Sequence, residues 1–434
     1  MERLSIKNRI FVGMTLFSMF FGAGNLIFPP FMGALAGEKA WIALFGFVLS
    51  AIGLPVLGVA AVALSDGLDN LAKRVHPLFA SVFTLLIYLS IGPCLAIPRT
   101  AGTSFEMALL PYISESSNKG IFLAVYSVGF FALAFFLAQK PEMLKERLGK
   151  YLAPILLILI GALFIGCLVK SEKGYGDVAE IYQSHAAVQG FLDGYQTMDT
   201  IAALNFGLVI AMNIRAAGVR KEKDIAKETV TAGMIAGLLM LIVYGVLTWI
   251  GSAAGNLFGA GENGAQTLSQ MSGYLFGSAG KMILGAIFFI ACLNTCTGLI
   301  CCCGEYFHTI CPGISYRRWA LIFSGISAVI ANAGLTAILR VSVPVLQWLY
   351  PMAIMLIVLA FLHHRIEKWR YVYPWVIGLT GFSSAVHALD ALGCQIPAIT
   401  VWVERIPLYD LGLGWILPAI VGMIIGIIWS QIRD

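Results

Sequence analysis

Charged side chains are scarce in this sequence: only 12% of its 434 residues are Asp, Glu, Lys or Arg, where a soluble domain carries about 25%. That proportion cannot cover a water-facing surface of this size, so an ordinary soluble fold is excluded. No polar stretch runs much beyond about twenty residues, which excludes a separate soluble domain. Polar and apolar residues do not alternate along the apolar runs, which argues against a transmembrane strand barrel. The first apolar run is too long for a cleaved signal peptide, and no small-residue cleavage site leads into a polar mature start. Histidine is sparse as well. The 6 His residues (His76, His185, His308, His363, His364 and His387) fall mainly near loops, whereas a membrane-embedded enzyme needs titratable groups converging on a cavity.

What fills the chain instead is apolar: 59% of residues are hydrophobic, gathered in runs long enough to cross a bilayer as helices. Twelve such runs are expected, at about 8–35, 40–64, 77–103, 119–138, 149–169, 192–217, 228–252, 278–304, 319–336, 338–362, 371–391 and 412–431. They are called spans 1 to 12 below. The fold class is therefore an all-α polytopic membrane protein. With the N-terminus inside, the inner segments hold 20 of the 28 Lys and Arg and the outer segments 7, with Arg99 left inside a span. The positive-inside rule then places both termini in the cytoplasm. The net charge of +5 reflects that bias and not nucleic-acid binding. A bacterial plasma membrane is the expected location.

Cys301, Cys302 and Cys303 are consecutive on a helix, about 100° apart in azimuth, so they cannot converge on one ion. Even with His308 and Cys311 nearby, they read as small polarizable packing residues. The cysteines lie mostly within spans or near the inner face, so disulfides are not indicated.

Span 1 breaks its own rules. FSMFFGAGNLIFPPFMG, residues 17–33, places Gly22, Ala23, Gly24 and Asn25 mid-span, with Pro29 and Pro30 just beyond. Irregular backbone at membrane depth survives only where it is buried in protein or lines a cavity. Glycine lets a chain leave helical geometry, and proline removes donors. Close helix packing through Gly-x-Gly is the alternative, but the accumulation of breakers favours an unwound segment. A second interruption is FLDGYQTMDTIAALNFGLVI, residues 191–210, where Asp193, Gly194, Gln196, Thr197 and Asp199 precede an apolar stretch. These could instead sit in the outer interface, with the helix starting later, but span 6 would then be marginal in length.

The two interruptions stand at corresponding places in spans 1 and 6. Five spans make an odd number of crossings, so a second copy enters the membrane inverted. Paired interrupted segments are the best sequence pointer to the binding site of an inverted-repeat transporter. Such half-helices offer free N–H groups to a carboxylate and free carbonyls to a cation. The expected division is residues 1–170 for the first five-helix repeat, 191–363 for the second and 371–434 for two additional helices. In span 3, Arg99 and Glu106 lie two turns apart. An ion pair, a bond from Arg99 to unwound carbonyls, and contact with substrate all remain open. In span 8, Asn294, Thr295 and Thr297 lie deep in ACLNTCTGLICCC.

FSMFFGAGNLIFPP, AIPRTAGTSFE, GYQTMD and ACLNTCTGL together resemble the branched-chain amino acid:cation symporter family, over nearly the whole chain. The resemblance implies a LeuT-type fold with a five-plus-five inverted repeat, and uptake of leucine, isoleucine and valine coupled to Na⁺. Where the family carries a pair of hydroxyl residues in span 8, this chain has Asn294 before Thr295. Expected substrate residues are Ala23, Gly24, Asn25 and Leu26 of span 1, with Tyr195, Thr197 and Asp199 of span 6 and Arg99 of span 3. The aliphatic side chain is expected in an apolar pocket between spans 1, 3, 6 and 8. By resemblance to the LeuT-type cation site, Na⁺ would take main-chain carbonyls of Ser18, Phe21 and Ala291 and the side chains of Asn294 and Thr295, with Thr297 in reserve. Ala291, Asn294 and Thr295 fall on one helix face. A lysine on span 5 is associated with proton coupling on related scaffolds, and YLAPILLILIGALFIGCLV has no basic residue. Proton-coupled symport, exchange of another small neutral amino acid, and a channel are the competing readings.

Overall fold

The computed structural model describes residues 4–114, 117–170, 174–394 and 406–433. Arg3, Lys173 and Arg405, counted in the charge asymmetry above, lie outside the described residues. Among the described residues the chain is helical throughout, and eight helices are long and apolar enough to cross a membrane. A ninth is counted if Ala186–Tyr195 and Asp199–Ala216, bent by 47° at their break, form one span. Outside that count fall the 15-residue helix Ile6–Phe20, the 16-residue helix Tyr316–Ala331 and the helix Val372–Ala391.

Several boundaries differ from expectation. The sixth run was expected to begin at residue 192, yet the helix starts at Ala186. AAVQGFLDGY mixes polar and apolar residues because one face packs on the second span while Gln189 and Asp193 face a cavity. The division between the ninth and tenth spans falls earlier than residues 336–338: Tyr316–Ala331 ends at Asn332, and Gly334 takes a positive φ of 86° before Leu335–Ile366 begins. That conformation suits glycine and not a side-chain-bearing residue. A further helix, Gly264–Phe276, was not foreseen. Asn263 caps it by accepting from the Gln266 N–H at 2.9 Å, the usual role of an asparagine N-cap.

Small residues set the spacing around the site. A Cβ on Gly46 would lie 1.7 Å from the Ala187 carbonyl oxygen, and one on Gly190 would lie 1.9 Å from that of Ala43. The helix Ala40–Val48 and the half-helix Ala186–Tyr195 therefore touch backbone to backbone, the close approach that small residues permit in membranes. This contact fixes the first half of the sixth span. Helix Ala23–Ala36 packs along Glu222–Phe258 in the same way, and a Cβ on Gly251 would sit 2.0 Å from the Pro30 carbonyl oxygen.

No disulfide joins any of the nine cysteines, all of which lie among the described residues. The trio at 301–303 is fully buried and its thiols turn to different neighbours: Cys301 towards the Ala138 carbonyl at 3.8 Å, Cys303 towards the Tyr88 carbonyl at 3.5 Å. Among the described residues no group of His, Cys, Asp and Glu is arranged to hold a metal ion.

Candidate substrate and ion site

The first apolar run contains two helices, Ile6–Phe20 and Ala23–Ala36, joined through Phe21 and Gly22. Phe21 (φ −73°, ψ 87°) and Gly22 (φ −118°, ψ −156°) leave helical geometry. The Gly22 N–H donates to Asn25 Oδ1 at 3.2 Å, so the third residue of the new helix satisfies a donor that the break exposes. Pro29 and Pro30 have no N–H to give to the carbonyls four residues earlier, those of Asn25 and Leu26.

The second break lies at Gln196–Met198. Met198 carries a left-handed φ of 69°, uncommon for a residue with a side chain and a marker of constraint at functional places. The Thr197 hydroxyl donates back to the Gly194 carbonyl at 2.8 Å. Asp199 opens the helix Asp199–Ala216, where the positive end of the helix dipole favours a carboxylate.

The breaks meet. A Cβ on Gly24 would lie 3.1 Å from Thr197 Cα, 3.3 Å from the Gln196 carbonyl oxygen and 3.3 Å from Arg99 Nη2. Here glycine is what lets the two irregular segments touch. Asn25 Nδ2 donates to Asp199 Oδ2 at 2.5 Å and to the Tyr244 hydroxyl at 2.5 Å, and Tyr244 in turn donates to Asp199 at 3.3 Å. Arg99 Nη1 donates to the Gln196 carbonyl at 3.3 Å. That bond realises one of the three options for Arg99, and no ion pair joins it to Glu106 among the described residues. Arg99 and Asp199 are both buried, at 8% and 2% exposed.

Around these groups lies a cavity of about 30 Å³, room for one or two waters. Ala23, Gly24, Asn25, Arg99, Thr197 and Asp199 line it, with Phe20, Ile91, Phe206 and Leu299 on its apolar side. The structure therefore brings six of the expected substrate residues to one place. Leu26 is fully buried away from it, and Tyr195 faces a neighbouring cavity, stacked on Tyr350 with ring centroids 4.6 Å apart. Tyr244, Phe20 and Phe206 are site residues that sequence reasoning missed. A tyrosine inside the apolar LLMLIVYGVLTW was the one available signal, since a lone polar group in a span is functional by default.

The helix Ser278–Ile310 runs beside the first break, where Thr295 lines the same cavity and a Cβ on Gly22 would lie 2.7 Å from Thr295 Oγ1. Asn294 donates to Ser18 Oγ at 3.3 Å, while Asn294 Oδ1 and Thr295 Oγ1 are buried oxygens with no hydrogen-bond partner. Thr297 donates to the Leu293 carbonyl at 2.7 Å and is spent on its own helix. Ala291 is fully buried on the same helix, and Phe21 stacks on Phe17 at 5.1 Å. Two orphaned hard oxygens beside a helix break fit a hard monovalent cation.

A family model described as "Branched-chain amino acid transport protein" matches residues 5–433. The chain belongs to that family. It is 39% identical over 426 residues to the branched-chain amino acid permease BraB of Bacillus subtilis, covering 98% of this chain and 95% of that protein. It is 36% identical over 434 residues to the branched-chain amino acid permease BrnQ of Escherichia coli K12, covering 99% and 97%. Among solved structures it resembles Mhp1, a nucleobase-cation-symport-1 family transporter, in a closed conformation, with a TM-score of 0.56 at 12% identity over 98% of this chain and 93% of that one. An inward-facing conformation of Mhp1 gives a TM-score of 0.55. At that identity the likeness speaks for fold alone. This family member is thus a multi-pass membrane transporter of branched-chain amino acids and not an enzyme.

Proposed function

We propose that the protein is a Na⁺-coupled symporter that carries leucine, isoleucine and valine into a bacterial cell by alternating access. The proposed architecture is twelve spans with both termini cytoplasmic, residues 1–170 and 191–363 as inverted five-helix repeats of LeuT type, and 371–434 as two additional helices. The observation that carries the reading is the convergence of both helix breaks on Asn25, Arg99 and Asp199, with the unpaired oxygens of Asn294 and Thr295 close by.

The chemistry follows from the groups present. The N–H groups of Ala23 and Gly24 head a helix and lack intrahelical acceptors; with the Arg99 guanidinium they receive the substrate carboxylate. Asp199 attracts the ammonium group, and Asn25 and Tyr244 hold that carboxylate in one rotamer. The aliphatic side chain points towards Phe20, Ile91, Phe206 and Leu299. Asn294 and Thr295, with main-chain carbonyls of Ser18, Phe21 and Ala291, would hold Na⁺, which supplies a fixed positive charge at the break and couples substrate binding to the ion gradient.

The test is leucine uptake into liposomes holding the purified protein, with an imposed Na⁺ gradient, a proton gradient or neither. Uptake driven by Na⁺ and weakened in its Na⁺ dependence by Asn294→Ala and Thr295→Ala is the expected result. Uptake that follows the proton gradient and ignores Na⁺ would replace the coupling ion, and ungated conductance without coupling would replace the class.

A further inference from the structure

A second cavity, beside the site above, belongs to no role described so far. It measures about 210 Å³ and lies between the half-helix Ala186–Tyr195, the helices Leu335–Ile366 and Val372–Ala391, and the segment 406–415. Gln196 links it to the Asn25–Asp199 site: the residue lines this cavity, while its carbonyl accepts from Arg99, which lines the small one. On the orientation proposed above, this is the outer side of the break.

Its lining is built for a small zwitterion. The Tyr195 hydroxyl and the Trp415 indole N–H lie within reach of each other, and their residues are 6% and 8% exposed. Gln347 Oε1 is a buried polar atom without a partner. A buried acceptor left unpaired is costly, and with two donors on the same cavity it marks a place that takes a polar ligand. Trp415 N–H and Tyr195 O–H can donate to a carboxylate. Gln347 Oε1 can accept from an ammonium group, helped by Asp193, whose two oxygens each accept one bond, from Tyr182 at 2.6 Å and Gln189 at 2.9 Å. Among the described residues no Lys or Arg lines the cavity, whose basic side chain is His387; a zwitterion brings its own counter-charge. Leu192 and Pro351 supply an apolar wall.

We propose that this cavity is a second binding site for the transported class of amino acid, an antechamber from which substrate passes the Tyr195–Met198 break to the inner site. The proposal rests on the branched-chain substrate reading above. Its test is the stoichiometry of radiolabelled leucine binding to the purified full chain in lipid nanodiscs with Na⁺ present. Two leucines per native chain are expected, falling to one in Gln347→Leu/Trp415→Phe and to one in Asp199→Asn, with none left when all three changes are combined. One leucine per native chain, unaffected by Gln347→Leu/Trp415→Phe, would overturn the antechamber and leave the inner site standing, Gln347 Oε1 then being satisfied by water. No leucine binding to the native chain at all would overturn both readings. The native stoichiometry gives its answer even if a variant fails to fold.

Discussion

Asn25 and Asp199, 174 residues apart in sequence, are joined by a buried amide–carboxylate hydrogen bond of 2.5 Å. The same asparagine accepts from the Gly22 N–H, so one side chain links the two helix breaks to each other and to the peptide that the first break leaves unpaired. It works as a positioning group as well as a polar wall of the cavity.

Replacing Asn25 with alanine therefore removes one of the donors to a buried carboxylate, which keeps Tyr244, and leaves the buried Gly22 N–H without its acceptor, a loss of about 1–3 kcal/mol for the unpaired group. Leucine uptake is expected to fall by at least about tenfold, since about 1.4 kcal/mol is a factor of ten, while membrane insertion stays normal. Asn25→Asp is expected to fare worse, because it sets a second carboxylate against Asp199. Uptake by proteoliposomes at matched protein content checks both; wild-type rates in either variant would remove Asn25 from the site.

Gly22 and Thr295 give a sharper test of how the first break sits against the helix Ser278–Ile310. A methyl group at Gly22 would lie 2.7 Å from Thr295 Oγ1 and 3.1 Å from Thr295 Cβ, inside van der Waals contact. Gly22→Ala is expected to raise the Na⁺ concentration for half-maximal leucine uptake. Trimming the obstacle with Thr295→Ala should add little further loss in the double variant. Such non-additivity is what contacting residues show in a double-mutant cycle, and additive losses would separate the two residues.

Near the N-terminal end of span 1, Arg9 Nε and Nη2 donate to the two oxygens of Glu228 at 2.7 and 2.6 Å, a two-pronged pair that ties helix Ile6–Phe20 to Glu222–Phe258. Glu228 is 3% exposed, so removing Arg9 leaves its carboxylate buried without a counter-charge. Arg9→Ala is expected to speed amide hydrogen exchange across residues 6–20, and Arg9→Ala/Glu228→Ala to restore much of the protection. Unchanged exchange in Arg9→Ala would mean that the pair does not hold the helix.

Both breaks could be read from the sequence because helix breakers stand out in apolar runs: Gly22 and Gly24 beside Pro29 and Pro30, and Gly194 with Thr197 and Asp199. The start of the half-helix at Ala186 could not be read so easily. Its polar residues look interfacial until Gly46 and Gly190 dock it backbone to backbone on a helix more than 130 residues earlier. Phe206 carries no local mark and Tyr244 only its hydroxyl in an apolar run, since only tertiary packing decides which apolar-run residue reaches a cavity. The turn at Asn332–Gly334 was overrun because continuous hydrophobicity masked a glycine at a positive φ.

The selectivity of the inner site should depend on Phe206. Its ring packs against Phe20 with centroids 5.1 Å apart and planes tilted by 55°, and both rings border the cavity between Arg99 and Asp199. At about 30 Å³ the space between them admits a branched aliphatic side chain only when one ring moves, and an aromatic side chain less readily still. A hydrophobic pocket distinguishes side chains differing by one methylene by only about 1–3 kcal/mol, so leucine, isoleucine and valine should compete with one another. Lysine and glutamate should not, because their extra charge would have to enter the wall formed by Phe20, Ile91, Phe206 and Leu299. Phe206→Leu keeps that wall apolar while removing the ring, and is expected to let phenylalanine compete for uptake. The measurement is inhibition of radiolabelled leucine uptake by unlabelled amino acids in the native and Phe206→Leu proteins. Inhibition by phenylalanine that is equal in both would move the selectivity filter away from Phe206, and strong inhibition of the native protein by lysine would remove the apolar pocket from the reading.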